Sequence, residues 1–117
     1  MSSLSEVVRA LSDRPGVEAV VVASMDGLPI AHDGRAASDP DAMSALAATA
    51  IRHVSLLADG SALGSVQTIA LEGDQGTLLV TPAAPGSWLL VLVEPDANFG
   101  QVLYDLRRHR TALATLL

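Results

Sequence analysis

The chain has 117 residues, a formal net charge of −6 and no cysteine; that length suits one domain spanning residues 1–117, able to bury roughly two-thirds of its unfolded surface without disulfide or metal staples. Without cysteine there is no thiol nucleophile, thiolate zinc site or disulfide framework, which fits a reducing compartment. All seven basic residues are arginine, so a P-loop lysine, Schiff-base chemistry and a lysine general base are excluded, and the acidic balance with only Trp88, Phe99 and Tyr104 as aromatics argues against a nucleic-acid groove with stacking platforms.

Ser3 and Glu6 have the spacing of a capping box, and Leu4, Val7, Val8 and Leu11 follow at helical intervals, predicting a first helix that ends near Asp13 and is broken by Arg14-Pro15-Gly16. Val17 to Ala23 is β-branched and apolar on both parities, as in a central strand covered on both faces. Asp26-Gly27 suits a tight hairpin into a second strand, Leu28 to His32, which Pro29 places toward an edge because it has no N–H to donate. Gly34 to Ala37 reads as a loop. Ser38 or Asp39 then caps the longest helix, with Pro40 in its first turn and its end near Ala58 before Asp59-Gly60.

At about 100° per residue, Met43, Leu46, Ala47, Ala50, Val54 and Leu57 share one face of that helix, expected to pack on the sheet. A flanking stripe, Ala42, Ala45, Thr49 and Leu56, has side chains small enough at three of its four positions to admit another helix. Ser65 to Glu72 reads as a third strand, Gly73 to Gly76 as a turn, Thr77 to Thr81 as a fourth strand and Pro82 to Gly86 as another turn. Trp88 to Val93, apolar on both parities, belongs in the sheet centre beside the first strand. Asp96 or Asn98 caps a last helix with an apolar face of Phe99, Val102, Leu103, Leu106 and Leu113. The element order is αββαβββα.

The candidate chemical sites are thin. His32, His53 and His109 fall in separate elements without metal-ligand spacing. Gly60 to Gly64 has glycines at the ends of a five-residue stretch, but Ala62 stands where a nucleophile elbow needs serine. Asp26 and Asp33 are explained by turns. Arg107, Arg108 and Arg110 complement the negative end of the last helix or meet an acidic partner, and Arg52 lies beside the small-residue stripe as an interface flank or a solvated charge. No catalytic residue, metal or cofactor is expected. The N-terminal residues 1–6 lack a basic signal region and no apolar run approaches the roughly 18 residues of a membrane span, so the expectation is a cytoplasmic, soluble protein. Half the residues are hydrophobic, which points to an apolar interface with a second copy, or to a compact monomer rich in buried alanine.

Taken in order, Pro15 to Val22, Asp26 to Ala31, the alanine-rich middle helix and Leu92-Val93-Glu94-Pro95-Asp96-Ala97-Asn98-Phe99-Gly100 resemble the Roadblock family, named for a dynein light chain and including bacterial regulators of Ras-like GTPases. The resemblance spans nearly the whole chain. It implies an α/β fold, specifically a Roadblock/profilin-like α+β sandwich in which a five-stranded antiparallel sheet carries the first and last helices on one face and the middle helix on the other. It also implies a homodimer in which middle helices pack antiparallel and third strands pair into a continuous sheet, in agreement with the flanking stripe Ala42, Ala45, Thr49 and Leu56 as the dimer interface. The dimer would be a non-catalytic platform for a small Ras-like GTPase, with Arg52 and His53 as candidate partner contacts and promotion of GTP hydrolysis as one outcome. The alternatives are a structural adaptor without nucleotide sensitivity and a small-molecule sensor.

Overall fold

The computed structural model describes residues 3–35 and 39–116. Eight elements occur in the order α1 (Leu4–Ser12), β1 (Val17–Ser24), β2 (Pro29–Gly34), α2 (Pro40–Gly60), β3 (Ile69–Gly73), β4 (Gly76–Ala84), β5 (Ser87–Val93) and α3 (Phe99–Leu116). The five strands form one antiparallel sheet in the order β2-β1-β5-β4-β3. The largely apolar strands β1 and β5 are therefore interior neighbours, and the proline-led β2 lies at an edge.

Two cores sandwich the sheet. On one face Val7, Val8 and Leu11 of α1 and Val102 and Leu106 of α3 pack with alternate residues of β1, β4 and β5, among them Val20, Val22, Leu79, Leu89 and Val91. On the other, Ile51 of α2 meets Val21, Ala23, Val80 and Leu90, with Met43, Ala47, Ile69, Leu78 and Trp88 around it. The alternation of strand side chains between the two clusters is the reason β1 and β5 carry no polar face.

The caps are local. Ser3 Oγ accepts from Glu6 N–H at 3.2 Å, and Asp39 Oδ1 accepts from the N–H groups of Asp41 and Ala42 at 3.0 and 3.4 Å. Asn98 rather than Asp96 caps α3, its Oδ1 accepting from Gln101 N–H at 3.2 Å. Ser38, the alternative cap of α2, lies outside the described residues, as do the side chains of Arg110 and Leu113.

Apart from one-residue shifts and the extension of β2 past the expected His32 to Gly34, which pairs with Ala19 instead of opening the loop, four boundaries differ from the sequence expectation. The β1–β2 connection is a four-residue loop, residues 25–28, closed by the Ser24 N–H to Leu28 C=O bond at 2.8 Å, so the second strand begins at Pro29. β4 continues through Pro82 to Ala84, with a register shift between Pro82 and Ala84 of the kind that lets a strand accommodate proline. β3 starts at Ile69 instead of Ser65; its last partner on β4 is Val80, just before that irregular stretch and the proline that cannot donate.

The fourth difference is the end of α2. The helix runs through Gly60, and the residue that stops it is Ala62, in the left-handed region at φ 58°. Leu63 N–H returns to Ala58 C=O at 2.9 Å and Ala62 N–H to Asp59 C=O at 3.1 Å, the paired bonds of a Schellman motif. Glycine usually fills this position because a Cβ there is strained. Ala62→Gly is expected to stabilise the fold by about 1 kcal/mol, read as a higher midpoint in urea unfolding at fixed protein concentration.

Candidate protein-interaction surface

α2 touches the sheet through small side chains. Ser44, Ile51 and Ala58 are buried, with Ala47, Ala48, Val54 and Ser55 partly buried beside them. At its N-terminal half the helix lies against the β1–β2 loop: a Cβ on Gly27, whose φ is +86°, would meet the Ala45 Cα at 3.2 Å and the Ala48 Cβ at 3.5 Å. Glycine in the loop and alanine on the helix thus let the two backbones approach.

That contact rotates the helix away from the expected face. Met43, Ala47 and Val54 do pack toward the sheet, but Leu46, Ala50 and Leu57 are exposed, because the space above the sheet is taken by Ser44, Ile51 and Ala58. Ile51 belonged to neither predicted stripe. Its missing signal was size: the buried face holds serines and alanines, while the leucines that dominate a hydropathy reading point outward.

The four stripe residues Ala42, Ala45, Thr49 and Leu56 are all exposed. Leu46, Leu56 and Leu57 of α2, Leu63 after it and Leu71 of β3 are between 63% and 74% exposed. Leu71 alternates with Ala70 and shares the parity of Ile69, which belongs to the α2-side core, so it faces the same side of the sheet as α2. Four exposed leucines on the α2 side of the sheet, with a fifth just after the helix, exceed the scatter of single apolar residues ordinary on a monomer's surface.

Arg52 and His53 both converge on Thr49. Arg52 Nη2 donates to Thr49 Oγ1 at 3.4 Å, Thr49 Oγ1 donates to Ala45 C=O at 3.4 Å, and His53 Nδ1 lies 3.0 Å from Thr49 C=O. These polar groups border the exposed leucines without entering the core.

The remaining candidates are dispersed. Asp26 is in the loop before β2, whereas Asp33 is near the strand's far end and accepts a hydrogen bond from Ser12 Oγ of α1. His32 is on β2, His53 on α2 and His109 on α3. Among the described residues, no cluster of three or more His, Asp or Glu side chains is placed to hold a metal ion, and no described helix is long and apolar enough to cross a membrane. Arg107 donates to Thr68 Oγ1 at 3.4 Å, and the Arg108 guanidinium lies 5.8 Å from the centre of the Tyr104 ring, within cation–π range.

The sequence pattern of the Roadblock/LC7 domain matches residues 4–93. The chain belongs to the Roadblock/LC7 family. The fold agrees over nearly its full length with a Roadblock/LC7 domain from Streptomyces avermitilis, at 25% identity, TM-score 0.86 and coverage of 96% of this chain and 95% of that one. Myxococcus xanthus MglB superposes with TM-score 0.89 at 18% identity, covering 97% of this chain and 93% of its own. Two uncharacterized proteins of Methanocaldococcus jannaschii, MJ0310 and MJ1340, are each 26% identical over 105 residues, 90% of this chain and 91% of theirs. The Roadblock fold thus accounts for the sheet order and for the helices on both faces.

The division of α2 into a small buried face and a leucine-rich outer face has a measurable consequence. Under dilute conditions that favour the monomer, Ile51→Ala is expected to cost about 2–4 kcal/mol of unfolding free energy, and Leu57→Ala less than about 1 kcal/mol. Urea denaturation of the two variants checks the assignment.

Proposed function

We propose that this Roadblock domain is a non-catalytic, homodimeric regulatory platform that binds a small Ras-like GTPase in the cytoplasm, acting as a single module over residues 1–117. The observation that carries the reading is the set of exposed leucines on the outer side of α2 and on β3. Two copies of α2 packed through Ala42, Ala45, Thr49 and Leu56 would cover it. β3 has β4 on one side and an open backbone edge on the other, and pairing that edge with its copy would satisfy groups that otherwise invite aggregation.

The absence of a catalytic requirement is chemical. A Ras-like GTPase carries its own phosphate loop and magnesium ligands, so a regulator need supply only positioning of the switch segments and the attacking water. A dimer presenting two outer helices side by side is suited to hold such segments. Arg52 and His53, tied to Thr49 at the border of the leucine surface, are the proposed contacts to the partner.

Two measurements test the reading. The wild-type chain is expected to sediment as a dimer, and Ala45→Glu or Leu56→Glu to shift it to monomer, since either places a charge in the apolar contact while keeping helix propensity high. An unchanged dimer in both variants would show that the contact lies elsewhere. Immobilised wild-type protein is further expected to retain a Ras-like GTPase from native extract more strongly with a GTP analogue than with GDP, the bound chain being identified by mass spectrometry. Equal retention in the two nucleotide states would replace regulation by scaffolding.

A further inference from the structure

β3 keeps its charges and its leucine on opposite faces. Leu71 pairs with Leu78, a member of the α2-side core, whereas Glu72 pairs with Thr77, which in turn lies opposite Val93 of the α1/α3-side core. Glu72 therefore projects on the α3 side of the sheet. Arg107 reaches the same side of the same edge from α3, where its 3.4 Å hydrogen bond to Thr68 Oγ1 holds the guanidinium just before the strand begins. Both residues are exposed.

The segment between α2 and β3 is open on both flanks. A cleft of about 390 Å³ separates residues 64–66 from Ser55, Pro82 and Trp88, and another of about 370 Å³ separates residues 65–68 from Val54, Leu57 and Arg107. Ser65 to Thr68 has strand-like composition but no strand partner.

We infer that Arg107 is the counter-ion, across the interface, of Glu72 in the second copy, and that this pair sets the register in which two β3 edges join. The inference rests on the dimer reading above. For the outer sides of both α2 helices to meet, the two-fold axis must run through the sheet, leaving each face of one copy continuous with the same face of the other. Residues directly opposed in antiparallel strands share a face, so even-numbered β3 residues must oppose even-numbered ones. With Thr68 opposite the second copy's position 72, that copy's Glu72 is the immediate neighbour of Arg107. One step further, with Ala70 opposite position 72, Glu72 is the diagonal neighbour of Thr68, a separation of roughly 7–8 Å that long side chains span. The next register sets Glu72 against its own copy, and like charges directly opposed disfavour it. Charge thus selects among registers that the leucines alone permit.

The test uses the full chain and measures the dimer dissociation constant by sedimentation at about 0.05 M and about 0.5 M NaCl. Arg107→Glu and Glu72→Arg are each expected to weaken the dimer about tenfold at low salt, the combined effect of two symmetric surface pairs turned repulsive. High salt should narrow the difference, and the doubly exchanged Arg107→Glu/Glu72→Arg chain should recover near-wild-type association. Circular dichroism establishes that each variant is folded; both positions are exposed. A wild-type dimer insensitive to Arg107→Glu, or a double variant without recovery, overturns the cross-interface pair and leaves the dimer standing. A wild-type chain that remains monomeric at high concentration overturns the dimer reading itself, and this pair with it.

Discussion

The structure depends on how closely α2 can lie on the sheet. A helix of 21 residues lying on a sheet must bury a face, and here that face is built mostly from serine and alanine around Ile51 and Met43. Gly27 admits the helix backbone at one end of the contact, and the Schellman turn at Ala62 releases the chain at the other. Because small side chains fill the space beneath, the larger apolar residues have nowhere to go but outward. The exposed leucines accompany that close approach, and they are the surface on which the proposed interaction rests.

Most of the architecture was legible in the sequence because its signals are local. Ser3, Asp39 and Asn98 cap helices through short-range hydrogen bonds, Gly73 to Gly76 closes a hairpin, and the two-sided apolar pattern of β1 and β5 can be satisfied only in the middle of a covered sheet. The start of β3 was misread because it is decided by the neighbour: Ser65 to Thr68 has β propensity, but pairing stops where β4 approaches Pro82. The face of α2 was misread for a related reason. Periodicity gathers Met43, Leu46, Ala47, Ala50, Val54 and Leu57 into one face, but the structure splits that group, exposing Leu46, Ala50 and Leu57 and burying Ser44, Ile51 and Ala58 instead. Leu46 and Leu57 were hidden from a sequence reading by their own hydrophobicity.

The same composition that excludes many enzymes is consistent with a surface-presenting role. With arginine as the only basic residue, cations here are planar, strongly basic and directional. Arg108 stacks over Tyr104, Arg52 reaches Thr49 and Arg107 reaches Thr68, so each is positioned by a neighbour on its own chain. Among the described residues, Ser3, Asp39 and Asn98 serve as helix caps, and Thr49, Arg52 and His53 lie at the rim of the leucine face.

The two borders of the sheet are unequal. β2 opens with Pro29, has α1 packed along it and has Asp33 held by Ser12, whereas β3 is short and leaves its outer edge without a strand partner. In the proposed dimer, joining through β3 would use that edge on both molecules at once. A dimer closed in this way would leave no β3 edge for a third copy, so the apolar area around that edge would not feed open-ended fibres.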